Sequence, residues 1–217
     1  QWQEVGAFKG ARLTSLDRLD SGVVCASGVN SIHAFDHQGN WQDLQPPKDE
    51  FRRVWGPGLQ ELYAVGARGI HYWNGSVWRT VDLVETYGEA YGGWDWGAPS
   101  FSDVHGIPGS DVWVVGSWFT HSTILRGRRL HWRLDACPSW YLYRIRVFSP
   151  HDALAVGGDG VYRLTRGRWR RAESDQGAPF ASTRDMPQAF FPQSIVSLGE
   201  QRLVAGYALL EEPPQLC

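Results

Sequence analysis

The residues in this chain best suited to chemistry are acids set among aromatic rings. Tyr91, Trp94, Asp95 and Trp96 fall in one six-residue stretch, YGGWDW, with Glu85 and Glu89 just before it. Trp118, Phe119 and His121 lie in SWFTHS, and Trp140 lies in PSWY. Rings beside carboxylates suit a sugar, whose apolar faces stack while its hydroxyls bond acids. They equally suit a protein partner anchored by aromatic hot spots. Sugar cleavage would need two carboxylates about 5–9 Å apart. Asp95 with Glu85, Glu89 or Asp103 is the pairing on offer. Asp103 and His105 alternate with Val104, as on one face of a strand, where a solvated channel wall is the plainer role.

Other chemistries find little support. His33 and His37 are four apart, a ligand spacing only on a helix, and here they fall on a strand and a turn, so no metal site is expected. There is no GxSxG, HExxH or phosphate-loop pattern, and no cofactor is implied. Cys25, Cys137 and Cys217 form no CxxC; one disulfide with a free thiol and three free thiols both remain open. The formal charge of -2 gives no field favouring nucleic acid. The basic patches RGRR (Arg126–Arg129) and RGRWRR (Arg166–Arg171) read first as charged edge strands that resist aggregation, with a phosphate or nucleic-acid contact as the lesser alternative. No run approaches the ~18 apolar residues of a membrane-spanning helix. The chain opens on Gln1-Trp2 rather than Met, so removal of an upstream segment is expected.

The elements that must position these groups are short strands. Phe51–Val81 is the clearest unit: four apolar runs rich in Val, Tyr and Trp, punctuated by Gly56-Pro57-Gly58, Gly66 and Asn74-Gly75. Asn-Gly suits the tight turn of an antiparallel hairpin, and the composition favours strands. The unit recurs. Gly28, Gly66, Gly116, Gly157 and Gly206 each end a second strand, and Trp41, Trp78, Trp132 and Trp169 open the fourth strand 12–16 residues after the first four of these glycines. A four-stranded unit repeated every ~40 residues predicts an all-β propeller. Five blades are expected, at roughly 11–45, 46–83, 101–135, 143–172 and 193–217, forming one domain over 1–217. The last blade would be completed by residues 1–6. Trp2 then supplies the tryptophan that the fifth glycine lacks, closing the circle and removing an open edge. The rival account is a piece of a longer propeller. The four recurring tryptophans are expected to pack between blades, and Cys25 to be a buried thiol.

Asp111-Val112-Trp113-Val114-Val115-Gly116 and Leu62-Tyr63-Ala64-Val65-Gly66 resemble the D-V-W-A-V-G repeats of bacterial β-propellers, which are frequent in secreted and envelope proteins. Asp36-His37-Gln38-Gly39-Asn40-Trp41 and Asn74-Gly75-Ser76-Val77-Trp78 are degenerate versions of the accompanying D-G-x-x-W hairpin. The chain is also loosely similar to sialidase-repeat and photosystem-assembly propellers. The resemblance implies the fold. Without a full sialidase box or an arginine triad, it does not imply sialidase activity.

In an up-and-down blade with strands a to d, the b–c loops and d–a crossings share one face. The expected long departures, 84–100, 117–122, 135–142 and 173–192, all fall on that face. They carry the candidate binding residues Tyr91, Trp94, Asp95, Trp96, Trp118, Phe119, His121 and Trp140. The expected function is non-catalytic binding of a protein partner in an extracellular or envelope assembly, with the cytoplasm still open. A carbohydrate-binding propeller is the alternative, and a glycoside-processing enzyme using Asp95 or Asp103 comes third.

Overall fold

The computed structural model describes residues 12–36, 38–83, 86, 99–118, 121–136, 141–158, 160–172, 190–198 and 201–208. Four antiparallel sheets follow one another along the chain, each running in sequence order from a first to a fourth strand. The first comprises β1 (Leu13–Arg18), β2 (Val24–Gly28), β3 (Ser31–Phe35) and β4 (Trp41–Asp43). The second comprises β5 (Phe51–Gly58), β6 (Glu61–Gly66), β7 (Gly69–Trp73) and β8 (Trp78–Thr80). The third comprises β9 (Ser100–Gly106), β10 (Val112–Trp118), β11 (His121–Arg128) and β12 (His131–Ala136). The fourth comprises β13 (Leu142–Ser149), β14 (Asp152–Gly157), β15 (Gly160–Thr165) and β16 (Arg168–Arg171). A hairpin of β17 (Phe190–Leu198) and β18 (Gln201–Ala208) follows. The first strands lie side by side: β1 against β5, β5 against β9, β9 against β13 and β13 against β17.

Each interface between neighbouring sheets holds one apolar cluster. Leu62 and Ala64 face the first sheet, beside Cys25 and Ile32. Tyr63 and Val65, one residue out of phase, face the third sheet, beside Val112 and Val114. Trp113 and Val115 then turn to the fourth, beside Ile145 and Tyr162. Ile195 of β17 packs on Leu154 and Val156. A second strand is therefore apolar on both faces, and its run reads as continuous rather than alternating. Cys25 is fully buried. Burial and the nearby Asp17 charge push its thiol up to about 12, so it is inert at neutral pH.

The recurring glycine has a steric cause. The first strand carries a bulge in every unit, between Leu13 and Ser15, Phe51 and Arg53, Leu142 and Arg144, and Pro192 and Ser194, with a matching shift opposite Val115 and Gly116. The bulge drives backbone against the second strand's glycine. A Cβ on Gly28 would sit 2.0 Å from the Arg12 carbonyl oxygen, on Gly66 2.5 Å from that of Glu50, and on Gly116 2.3 Å from that of Ser100.

Three of the outer-strand tryptophans reach back to the preceding unit, as their spacing suggested. Trp78 Nε1 donates to the Leu44 carbonyl at 2.8 Å, and Trp169 Nε1 to the Asp135 carboxylate at 2.7 Å. Trp132 meets the edge of Tyr63 at 6.0 Å. Trp41 packs on Phe35 within its own sheet.

Two expectations need correction. Ser117–Ser122 is not a long loop: β10 and β11 stay paired through Ser117↔Ser122 and Trp118↔His121, so the hairpin is extended. The segment expected to run as a loop to Pro192 already enters β17 at Phe190. Closure through Trp2 falls outside the described residues. Leu16 occupies the register position of Val54, Val104 and Ile145, which face the preceding sheet, yet it is 68% exposed.

Gly66→Ala and Gly116→Ala are each expected to destabilise the fold by about 2–4 kcal/mol, because backbone must move to admit a methyl. Gly58→Ala, whose Cβ would meet only the Ser21 side chain at 3.4 Å, should stay within about 1 kcal/mol of the parent. Urea unfolding midpoints of the three variants measure the contrast.

Candidate functional site

A first strand is the inner edge of its sheet, and its outward N–H and C=O groups have no ladder partner. Polar side chains from neighbouring sheets supply one. Asp17 Oδ2 accepts the Val54 N–H at 3.0 Å. Asp103 Oδ2 accepts the Ile145 N–H at 2.9 Å, while its Oδ1 takes the Val104 N–H of its own strand at 3.1 Å. His105 Nδ1 accepts the Val147 N–H at 3.2 Å. Arg52 Nη1 donates to Ser100 Oγ at 2.8 Å and to the Phe101 carbonyl at 3.3 Å. The Thr14 hydroxyl donates to the Phe51 carbonyl.

The residues one step past each bulge are Ser15, Arg53, Asp103 and Arg144. Arg53 Nη1 lies 2.9 Å from Asp17 Oδ1 and 2.9 Å from Ser15 Oγ, and Arg53 Nε lies 3.7 Å from Asp103 Oδ1. Asp17, Arg53, Asp103 and Arg144 thus alternate in sign from one sheet to the next.

Asp103 and His105 are not a solvated channel wall. Asp103 is 2% exposed. Burial pushes its carboxyl up to about 6, against the pull of Arg146, the Ile145 N–H, Arg144 and Arg53. Burial, with Arg146 adding to it, pushes His105 down to about 3. A neutral imidazole agrees with Nδ1 accepting a backbone N–H, which leaves the proton on Nε2. Both side chains are committed to backbone, so the carboxylate proposed for sugar cleavage at Asp103 is engaged in holding sheets together.

Buried Asp49 and His71 form a second network that ends on the exposed Thr80. Asp49 Oδ2 lies 2.9 Å from His71 Nε2, and His71 Nδ1 lies 3.0 Å from Thr80 Oγ1. Asp49 also accepts the Arg68 and Glu50 N–H groups. Burial opposes ionisation of Asp49, but the His71, Arg68 and Glu50 hydrogen bonds outweigh it and hold the carboxyl below its usual range. An ionised Asp49 only accepts, so His71 Nε2 donates to it. The order acid, imidazole, hydroxyl looks like a nucleophile relay. In the fold it ties the entry into β5 to the β6–β7 turn, since the same carboxylate holds the Arg68 and Glu50 amides.

Of the sequence-predicted binding residues, Trp118 and His121 end β10 and begin β11 and are register partners. Tyr91, Trp94, Asp95, Trp96, Phe119 and Trp140 lie outside the described residues. The segments 84–98, 137–140 and 173–189 all join a fourth strand to the next first strand, so they leave from the end of the sheets at which β9, β13 and β17 begin. The β10–β11 turn is at the same end. At that end, too, a pocket of about 320 Å³ is lined by Thr14, Arg52, Arg53, Ser102, Tyr143 and Arg144. None of its arginines stands out in the sequence. The available signal was register: once the strands are aligned on their glycines, Ser15, Arg53, Asp103 and Arg144 fall in one row. Among the described residues, no group of three or more His, Cys, Asp or Glu side chains could hold a metal, and no helix is long and apolar enough to cross a membrane.

No protein-family model matches the chain, and no curated protein matches it in sequence. Solved structures do match in shape. An ancestral GH74 enzyme superposes with TM-score 0.54 at 15% identity, over 82% of this chain and 26% of that one. YCF48 from Cyanidioschyzon merolae gives 0.51 at 17%, over 71% and 50%. The extracellular domain of a hybrid two component system from B. thetaiotaomicron gives 0.57 at 8%, over 83% and 25%. Four-stranded antiparallel sheets with these neighbours define the fold as all-β and of the β-propeller type. The chain spans about a quarter to a half of the length of these proteins.

The burial of Asp103 makes a pH prediction. Its folded value, about 6, lies above the ordinary 3.8, so the folded state binds the proton more tightly than the unfolded one. Stability from this group is full below pH 4 and is lost as pH rises through 6, by on the order of 3 kcal/mol. The unfolding free energy of the parent minus that of Asp103→Asn should fall between pH 4 and pH 7. A flat difference would mean that Asp103 titrates normally.

Proposed function

We propose that the chain is a non-catalytic binding propeller of five blades, presenting its connection-rich face to a protein partner in an extracellular or envelope assembly. The observation that carries this reading is the asymmetry of the two ends. The two longest connections, 81–99 and 172–189, leave from one end, whereas at the other end strands are joined by turns of two to five residues, such as 59–60 and 107–111. Loops held by a rigid scaffold are where binding residues concentrate. On this reading Tyr91, Trp94, Asp95, Trp96, Trp118, Phe119, His121 and Trp140 form the contact surface, with aromatic anchors and an acidic group between them.

The commitment of Asp103 and His105 to backbone favours binding over catalysis, because the enzyme reading loses one of its two nominated carboxylates. The extracellular setting draws its support from one structural neighbour that is itself an extracellular domain.

A chain carrying Trp94→Ala, Trp96→Ala and Trp118→Ala together tests the surface. It should unfold at the same temperature as the parent and fail to retain the partner that the parent captures from its native source. Unfolding of the triple variant would assign those rings to the core and sink the proposal. Retention by a glycan array instead of a protein would point to the carbohydrate-binding alternative.

A further inference from the structure

The pocket at the start of the first strands concentrates positive charge beyond what its own acids balance. Arg52 and Arg53 enter from β5 and Arg144 from β13, with Thr14, Ser102 and Tyr143 completing the wall. Arg146, two residues along β13, adds a fourth guanidinium to the field on Asp103 and His105. Among the described residues, two carboxylates, Asp17 and Asp103, face these cations. The partners of each arginine differ. Arg53 bonds Ser15 and Asp17, and Arg52 bonds Ser100 and the Phe101 carbonyl. Among the described residues, Arg144 Nη1 donates to the carbonyl of its chain neighbour Tyr143, at 3.1 Å. A guanidinium carries five N–H donors, so these bonds leave most of the donor capacity of the three arginines directed elsewhere.

We infer that this pocket binds a multiply charged oxyanion, a phosphate or a polycarboxylate, with Arg144 as its principal donor and Arg52 and Arg53 beside it. Planar guanidinium groups match the paired oxygens of such anions and bind them bidentately. Ser102 adds a hydroxyl donor and Tyr143 a phenol, while the Thr14 hydroxyl is already committed to the Phe51 carbonyl. The state of Arg144 agrees. Burial draws it below the ordinary arginine value; Asp103 and Asp17 oppose the shift, while Arg53 and Arg146 reinforce it. An anion between these groups would relieve the repulsion among the like charges. The pocket opens on the face proposed for partner binding but is built by first strands alone, so it stands whether or not the aromatic loops bind anything.

Isothermal titration at low ionic strength, with inorganic phosphate and with citrate as separate probes, tests the site. Saturable binding of at least one probe is expected, weakened tenfold or more in Arg144→Gln and in Ser102→Asp, which adds a negative charge to the wall. Arg168→Gln, an exposed arginine on β16, should bind as the parent does. The tighter probe identifies the anion class. Circular dichroism checks that each variant folds; if Arg144→Gln does not, Ser102→Asp carries the test. Absence of saturable binding by both probes overturns the inference, as does parental affinity in a folded Arg144→Gln or in Ser102→Asp. Parental anion binding in the triple tryptophan variant would separate this site from the partner surface.

Discussion

The edge of each sheet nearest the axis sets the terms for the rest of the molecule. A first strand pairs on one side only, and its other row of amides and carbonyls must find partners or be left unpaired in a crowded interior. Here the next sheet offers no ladder: neighbouring first strands lie side by side but belong to separate sheets. Side chains fill the need: Asp17 to the Val54 amide, Asp103 to Ile145, His105 to Val147, Arg52 to the Phe101 carbonyl. This explains why ionisable groups sit where a propeller's wall would otherwise be apolar, and why Asp103 is buried at all. It also gives the arginines their setting, since each buried carboxylate draws cations toward the axis.

Outside that ring the structure is repetitive for steric reasons. The bulge that begins each first strand brings backbone so close to the second strand that only glycine fits there. The second strand is buried on both faces and hands alternate side chains to the sheets on either side. Fourth-strand tryptophans then fasten each of the second, third and fourth sheets to its predecessor. Strands so thoroughly committed leave variation to the connections, and the connections of greatest length share one end.

Much of this frame was legible in the sequence. Asn74-Gly75 marked the β7–β8 hairpin, although its connection spans 74–77 with a positive φ at Gly75 alone and the Asn74 side chain accepting the Ser76 and Val77 amides, not the two-residue turn the pair suggested. Gly66 with Trp78 gave the period. The alternation in Leu62–Gly66 was masked by two-sided burial, yet its content of Val and Tyr still read as strand. What the sequence hid depends on neighbours distant along the chain. Nothing in Asp103-Val104-His105 announces that its polar atoms meet amides of β13, 42 residues on. The Asp49–His71 pair is invisible for the same reason, being joined across 22 residues by the path of the chain into β5. Ser117–Ser122 was misjudged because its Trp, Phe and Thr have good strand propensity but stand beyond the glycine that ends the strand elsewhere. The pairing of Trp118 with His121 extends the hairpin past that mark.

The alternation of charge from sheet to sheet bears on how a repetitive chain avoids folding into the wrong order. Backbone and turns are nearly interchangeable among the four sheets, so a sheet could in principle dock against a neighbour one place too far along. Such a skip would set Asp17 beside Asp103, two carboxylates that each now face Arg53, and like charges there would repel. The apolar faces would tolerate the mistake far better than the polar row does. Asp17, Arg53 and Asp103 therefore act as an address, written in sign, that favours the proper neighbour over its near-copies.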